Sequence, residues 1–230
     1  MYKYNLIYYP FILNGKKYYG FLDTGGGQTY FFRNKELMKY TDEVTKYIEE
    51  KMFQHSPKVV IFIGQDFFKD KIFRFDYKDK IVEELNKNIY KKRRQYDMLK
   101  KSKVTNWIHI DITFEGKKQR FLFDTGATLE RNNKEYGISF LDGEIFDKLP
   151  KSYKVIKNYD EDGSPVVIIP EITVFDKKIK NVKFLRRNNN NFLIKMSGWT
   201  KIKHIGAIGG NVLKNFNIIC DYKNKKYYVE

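Results

Sequence analysis

Two short segments of this chain repeat each other, and the repetition limits the folds available more than any other feature of the sequence. Gly15-Lys-Lys-Tyr-Tyr-Gly-Phe-Leu-Asp-Thr-Gly25 returns at an offset of 101 as Gly116-Lys-Lys-Gln-Arg-Phe-Leu-Phe-Asp-Thr-Gly126, without a gap. In each copy an apolar run reads as a buried strand that ends in a carboxylate, a hydroxyl and a glycine able to turn the chain sharply. One such triplet is compatible with an ordinary turn in which Asp caps local amides. Further along, Ile63-Gly64 opens a stretch ending Asp76-Tyr77-Lys78-Asp79-Lys80, and Ile208-Gly209 opens one ending Asp221-Tyr222-Lys223-Asn224-Lys225, at an offset of 145. Motif, spacer and motif, repeated once, predict two copies of one structural unit.

An apolar strand, Asp-Thr-Gly and a later apolar-apolar-Gly together resemble the retropepsin-like and pepsin-like aspartic proteases. The match is closer in the second copy, in Phe123-Asp-Thr-Gly-Ala-Thr128 and in Ala207 through Tyr222. The resemblance implies a mainly β chain with two tandem β-barrel lobes related by a pseudo-twofold axis and a few short helices. It implies lobes over 1–85 and 104–230 joined by a basic linker over 86–103. It also implies peptide hydrolysis by a water held between Asp23 and Asp124, with Thr24, Gly25, Thr125 and Gly126 supporting the pair. Two carboxyls in contact share one proton, because a second negative charge is repelled by the first in a partly dry site. Water is then the nucleophile, and no cofactor is expected.

The first copy departs from the family pattern. Only 41 positions separate Asp23 from Gly64, against 85 between Asp124 and Gly209, and residues 34–52 carry apolar positions at helical spacing. A helical insertion is therefore expected where a flap would lie, leaving the first lobe without one. Gly26 stands where the family has Ala, Ser or Thr. In the second copy, Asn158 to Pro165 lies between the predicted strands Lys154–Ile156 and Val166–Ile169, the composition of a hairpin with a mobile tip. By resemblance this is the flap, and Gly26, Ala127, Tyr159 and Gly163 are its candidate substrate contacts. Ile172–Phe175 and Ile179–Leu185 read as a further hairpin, Arg186–Asn191 as a polar loop, and Tyr227–Val229 as a strand joining a sheet between lobes.

Composition narrows the remaining choices. At 230 residues, with 42% hydrophobic and 17% aromatic side chains, the chain can fill real cores. No apolar run approaches the roughly 20 residues of a membrane span, and the first residues lack the pattern of a signal peptide. With a single cysteine, Cys220, in a core strand, the expectation is a cytoplasmic location. The charge of +16 arises from 44 basic and 28 acidic residues, and most of it reads as solvated surface. From Lys87 to Lys103, eight basic residues face one acid, so a contact with nucleic acid or anionic membrane is kept as an alternative role for the linker. His55, His109 and His204 show no ligand spacing, and no metal is expected.

Three functional readings stay open at this level. The chain is a monomeric aspartic endopeptidase acting as a pseudo-dimer on peptide or protein substrates. Or two C-terminal lobes from separate chains form the Asp pair. Or the fold is kept as a peptide-binding scaffold without catalysis.

Overall fold

The computed structural model describes residues 2–32, 47–48, 59–86, 94–98, 107–187 and 203–230. The chain is mainly β, with a few short helices. The first strands are β1 (Tyr2–Lys3), β2 (Leu6–Leu13), β3 (Lys16–Leu22), β4 (Tyr30–Phe32), β5 (Tyr47–Ile48) and β6 (Val59–Ile63). They form one sheet in the order β1-β2-β3-β6-β4-β5. The turn between β2 and β3 is Asn14-Gly15, both at positive φ, the chemistry a two-residue hairpin loop requires. Tyr47 and Ile48, expected in a helix, instead form β5 beside β4; the rest of that predicted helix lies outside the described residues. A backbone partner in β4 outweighs helical spacing in a segment this short.

Next come β7 (Ile72–Asp76), β8 (Ile81–Glu84) and β9 (Arg94–Asp97), then β10 (His109–Phe114) and β11 (Lys117–Phe123). The hairpin β12 (Thr128–Glu130) and β13 (Glu135–Gly137) follows, then β14 (Ser139–Asp142), β15 (Lys154–Ile156), β16 (Val166–Val174), β17 (Lys177–Arg187) and β18 (Gly206–Ile208). β10-β11-β18-β14-β17-β16 closes on itself through a β10–β16 pairing, giving a six-stranded barrel with β15 attached to β16. Pro170 does not end β16, against the sequence expectation. It is exposed and falls opposite Asn181, itself at φ +52, where a missing N–H and an irregular partner coincide.

The same pairings occur twice. β3 runs parallel to β6, β6 antiparallel to β4 and β4 parallel to β5; β11 runs parallel to β18, β18 antiparallel to β14 and β14 parallel to β17.

Mid-chain strands and the C-terminal strands meet in a further sheet, β8-β7-β19-β20-β9, where β19 is Asn217–Asp221 and β20 is Lys226–Val229. β7 and β19 pair antiparallel, with Ile219 opposite Arg74. Arg94–Asp97, which the basic run assigned to a linker, is strand β9 on β20, and Tyr96 stacks on Tyr227 at 5.1 Å. The remainder of the basic run, apart from residue 86 and Met98, lies outside the described residues. The largest apolar cluster links this sheet to the barrel: Phe68 stacks on Tyr222 at 5.3 Å, and Phe75 meets Phe123 at 6.1 Å. Cys220 is wholly buried in β19.

Candidate active site

β3 and β11 each deliver an aspartate at their C-terminal end. The Asp23 N–H donates to Ile63 O at 2.9 Å, and the Asp124 N–H donates to Ile208 O at 3.0 Å, so each carboxylate is fixed by the neighbouring parallel strand. The turns then fold under their own side chains. The Gly25 and Gly26 N–H groups donate to Asp23 Oδ1 at 2.7 and 2.9 Å, and the Gly126 N–H donates to Asp124 Oδ1 at 2.9 Å.

Each glycine also lies against the opposite carboxyl. A Cβ on Gly25 would stand 2.5 Å from Asp124 Cγ, and one on Gly126 would stand 2.2 Å from Asp23 Cγ. No side chain fits at either place. Gly64 and Gly209 are held to hydrogen by similar crowding, from Gln28 O at 2.4 Å and Ile138 O at 2.5 Å. The departure at Gly26 has a local cause as well, because the Phe62 ring lies 2.5 Å from where a Cβ would be.

Between the turns the threonines exchange hydrogen bonds. The Thr24 N–H donates to Thr125 Oγ1 at 3.1 Å, and the Thr125 N–H donates to Thr24 Oγ1 at 3.0 Å. Each hydroxyl donates onward into the opposite strand, Thr24 to Phe123 O at 3.2 Å and Thr125 to Leu22 O at 2.9 Å. Both hydroxyls and both N–H groups of the pair are thereby partnered, which a dry junction requires. Trp107 adds a further tie, its indole N–H donating to Gly25 O at 3.2 Å.

The electrostatics follow from this crowding. Burial raises the Asp23 carboxyl well above the usual range, and the Asp124 charge and a hydrogen bond with that carboxyl raise it further, against the pull of the Gly25 and Gly26 amides. Burial raises Asp124 too. There the hydrogen bond from Asp23, the Gly126 and Ala127 amides and the Arg187 guanidinium offset part of the rise.

Arg187 is a site residue that the sequence reading left in a polar loop. β17 continues through it, because Arg186 and Arg187 stay in register with Leu141 and Asp142 and Arg186 donates to Asp147 through Nε and Nη2. Its guanidinium donates to Thr128 O, just past the Asp124 turn, and lies 5.9 Å from the Phe140 ring. It feels the charges of Asp160, Asp162 and Asp124. The only sequence signal was its place at the end of an alternating strand.

Ala127 is buried beside the Asp124 turn, its N–H donating to Asp124 O at 3.3 Å and its carbonyl accepting from Ile138 at 2.9 Å. Tyr159 and Gly163 share the turn between β15 and β16, and Tyr159 packs against the apolar cluster that includes Ala127 and Leu129. The Tyr159 hydroxyl accepts from Lys183 Nζ at 2.9 Å and its ring lies 4.4 Å from the Arg131 guanidinium. Gly163, at φ +78, closes the tip by donating to Asp160 O at 3.1 Å. The tip is tied to the β12–β13 hairpin, with Glu161 N–H donating to Glu130 O at 3.0 Å and Asn133 N–H to Glu161 Oε1 at 2.9 Å.

His109 and His204 do not stay apart as their sequence positions suggested. Their rings stack at 4.5 Å in a buried position, with His204 Nε2 against His109 Nδ1. His55 lies outside the described residues. Among the described residues no group of three His, Cys, Asp or Glu side chains could hold a metal, and no helix is long and apolar enough to cross a membrane.

An aspartic proteinase from Irpex lacteus has a similar structure, with a TM-score of 0.50 at 10% identity over 93% of this chain and 90% of that one. The chain has an aspartic proteinase fold. A retropepsin-like aspartic protease from Rickettsia conorii also matches, with a TM-score of 0.37 at 16% identity over 59% of this chain and 92% of that one. No family model matches the sequence, and none of the curated proteins matches it.

Proposed function

We propose that this chain is an aspartic endopeptidase whose two acids come from one polypeptide, Asp23 from the first copy of an internal duplication and Asp124 from the second. The observation that carries it is the pair itself: two aspartates at the ends of like strands, each lying on the other's glycine, with the proton affinity of both raised by burial and that of Asp23 raised further by Asp124. The twice-used strand pairing supports the duplication.

In the mechanism that fits this geometry, the shared proton rests on Asp23. Arg187 stands on the Asp124 side and favours negative charge there. Asp124 takes a proton from the water as it attacks the scissile carbonyl, and Asp23 donates its proton toward the carbonyl oxygen. Collapse of the tetrahedral species returns a proton to the leaving amine, and no bond to the enzyme forms. The threonine exchange holds both carboxyls in place during these transfers, which limits the reorganisation the step requires. The turn over 157–165 would cover the bound peptide as a flap, with its position set by the ties of Glu161 to Glu130 and Asn133 in the β12–β13 hairpin.

The test is hydrolysis of a mixed peptide library at mildly acidic pH. Asp124→Asn and Asp23→Asn should each lower the rate by about 100- to 10,000-fold while the fold persists. Cleavage that survives Asp23→Asn but not Asp124→Asn would mean that C-terminal units of two chains build the pair. Cleavage unaffected by Asp124→Asn would remove the mechanism.

A further inference from the structure

On the outer side of the C-terminal barrel, a groove of about 540 Å³ lies between the β12–β13 hairpin, β17 and the segment 211–215. Four cations line it, Arg131, Lys180, Lys183 and Lys214, and no aspartate or glutamate does. Among the described residues none of the four is ion-paired; Lys183 donates to the Tyr159 hydroxyl at 2.9 Å. Like charges gathered around one concavity raise its potential and are costly unless an anion joins them. Tyr159 senses that potential: although burial opposes it, Lys183 and Arg131 bring its phenol below the usual value.

We propose that this groove is a docking site for an acidic peptide segment, carried by the protein substrate at a distance from the bond that is cut. Three features favour a peptide over a nucleic acid. The rings that could stack on bases are already covered, Tyr159 by Arg131 at 4.4 Å and Lys183 at 5.0 Å, and Tyr136 by Tyr4 at 4.9 Å. Three of the four cations are lysines, point charges without the rigid fork for which arginine is favoured in nucleic-acid recognition. Asn132 and Asn181 add amides able to pair with a peptide backbone.

The groove also adjoins the candidate active site. Leu129 and Ile138 line it, and Ile138 donates its N–H to Ala127 O, in the turn that carries Asp124. Calling the ligand a substrate rests on the proteolytic reading; the binding itself does not.

Labelled octaglutamate, titrated into the full-length protein and followed by fluorescence anisotropy, tests the site. Lys180 and Lys214 are exposed, so Lys180→Glu combined with Lys214→Glu should leave the fold and the cleavage of a neutral peptide unchanged. Octaglutamate should bind more weakly as salt rises, and the double variant should lose about tenfold or more in affinity. Octaglutamate binding no better than octaserine, or equally well to the double variant, overturns the proposal. So does tripolyphosphate or oligouridylate displacing the peptide at concentrations about tenfold lower, since the groove would then belong to a different anion. If the binding results hold and no peptide is ever cleaved, the docking site stands and the proteolytic reading falls.

Discussion

Thr24 and Thr125 hold one another by the same bond made twice, backbone N–H to hydroxyl oxygen in each direction, and each passes its hydroxyl hydrogen to a carbonyl beneath the opposite aspartate. Replacing Thr125 by Val keeps the shape but leaves the Thr24 N–H and the Leu22 carbonyl buried without partners. The expected cost is about 1–3 kcal/mol for each buried group left unsatisfied, read from urea denaturation. Thr125→Ser should recover most of it, because serine restores the hydroxyl.

The glycines make a sharper distinction. Gly126→Ala would place a methyl 2.2 Å from Asp23 Cγ, so the carboxyl must move. A displacement of this kind should lower kcat by about 100-fold or more. Gly27→Ala, two residues past Gly25, meets nothing within 4 Å and should cleave peptides at the parent rate. Equal loss in both variants would mean the turns tolerate no change for reasons unrelated to the carboxyls.

Arg187 should set the acidic limb of the activity profile. Its charge lowers the proton affinity of Asp124, and Asp124 acts as base only when ionised. Arg187→Met should therefore move the acidic limb of kcat/KM to higher pH, and Arg187→Lys should move it less. A merely structural arginine would lower the rate without moving the limb.

Stability should depend on pH through two opposed groups. His109 is pushed down to about 3 by burial first and then by the His204 and Arg120 charges, with Asp111 opposing. Between about 6.5 and 3 the unfolded chain binds a proton that the folded chain refuses, so stability falls as pH falls, by at most about 1.4 kcal/mol per pH unit. The aspartate pair acts the other way. Its raised proton affinity stabilises the fold at low pH, and that contribution is lost as pH rises through the folded value. Asp23→Asn removes the opposing contribution and should steepen acid destabilisation, whereas His109→Phe should flatten it. Denaturation midpoints at several pH values check both.

The sequence showed what is local and repeated. Strands ending in Asp-Thr-Gly, hairpin turns at Asn14-Gly15 and Glu115-Gly116, and the glycines after Ile63 and Ile208 all sit where their chemistry demands. What it concealed depends on contacts between distant residues. His109 and His204 are 95 positions apart and touch only because β10 and the segment before β18 flank β11. Arg187 reads as solvated until β14 and Thr128 surround it, and the charge of residues 94–97 masks a strand until β20 supplies a partner. Tyr159 could be assigned to a turn from its neighbours, but not to its contacts with Lys183 and Arg131.

The pairing of β7 with β19 joins segments some 145 positions apart in one polypeptide. Enzymes assembled from separate subunits lose their shared centre when diluted below the dissociation constant of the assembly. Here the tether keeps the halves at a fixed mutual concentration. Turnover per molecule should therefore be the same at nanomolar as at micromolar protein, and no excess of an inert second copy should change it.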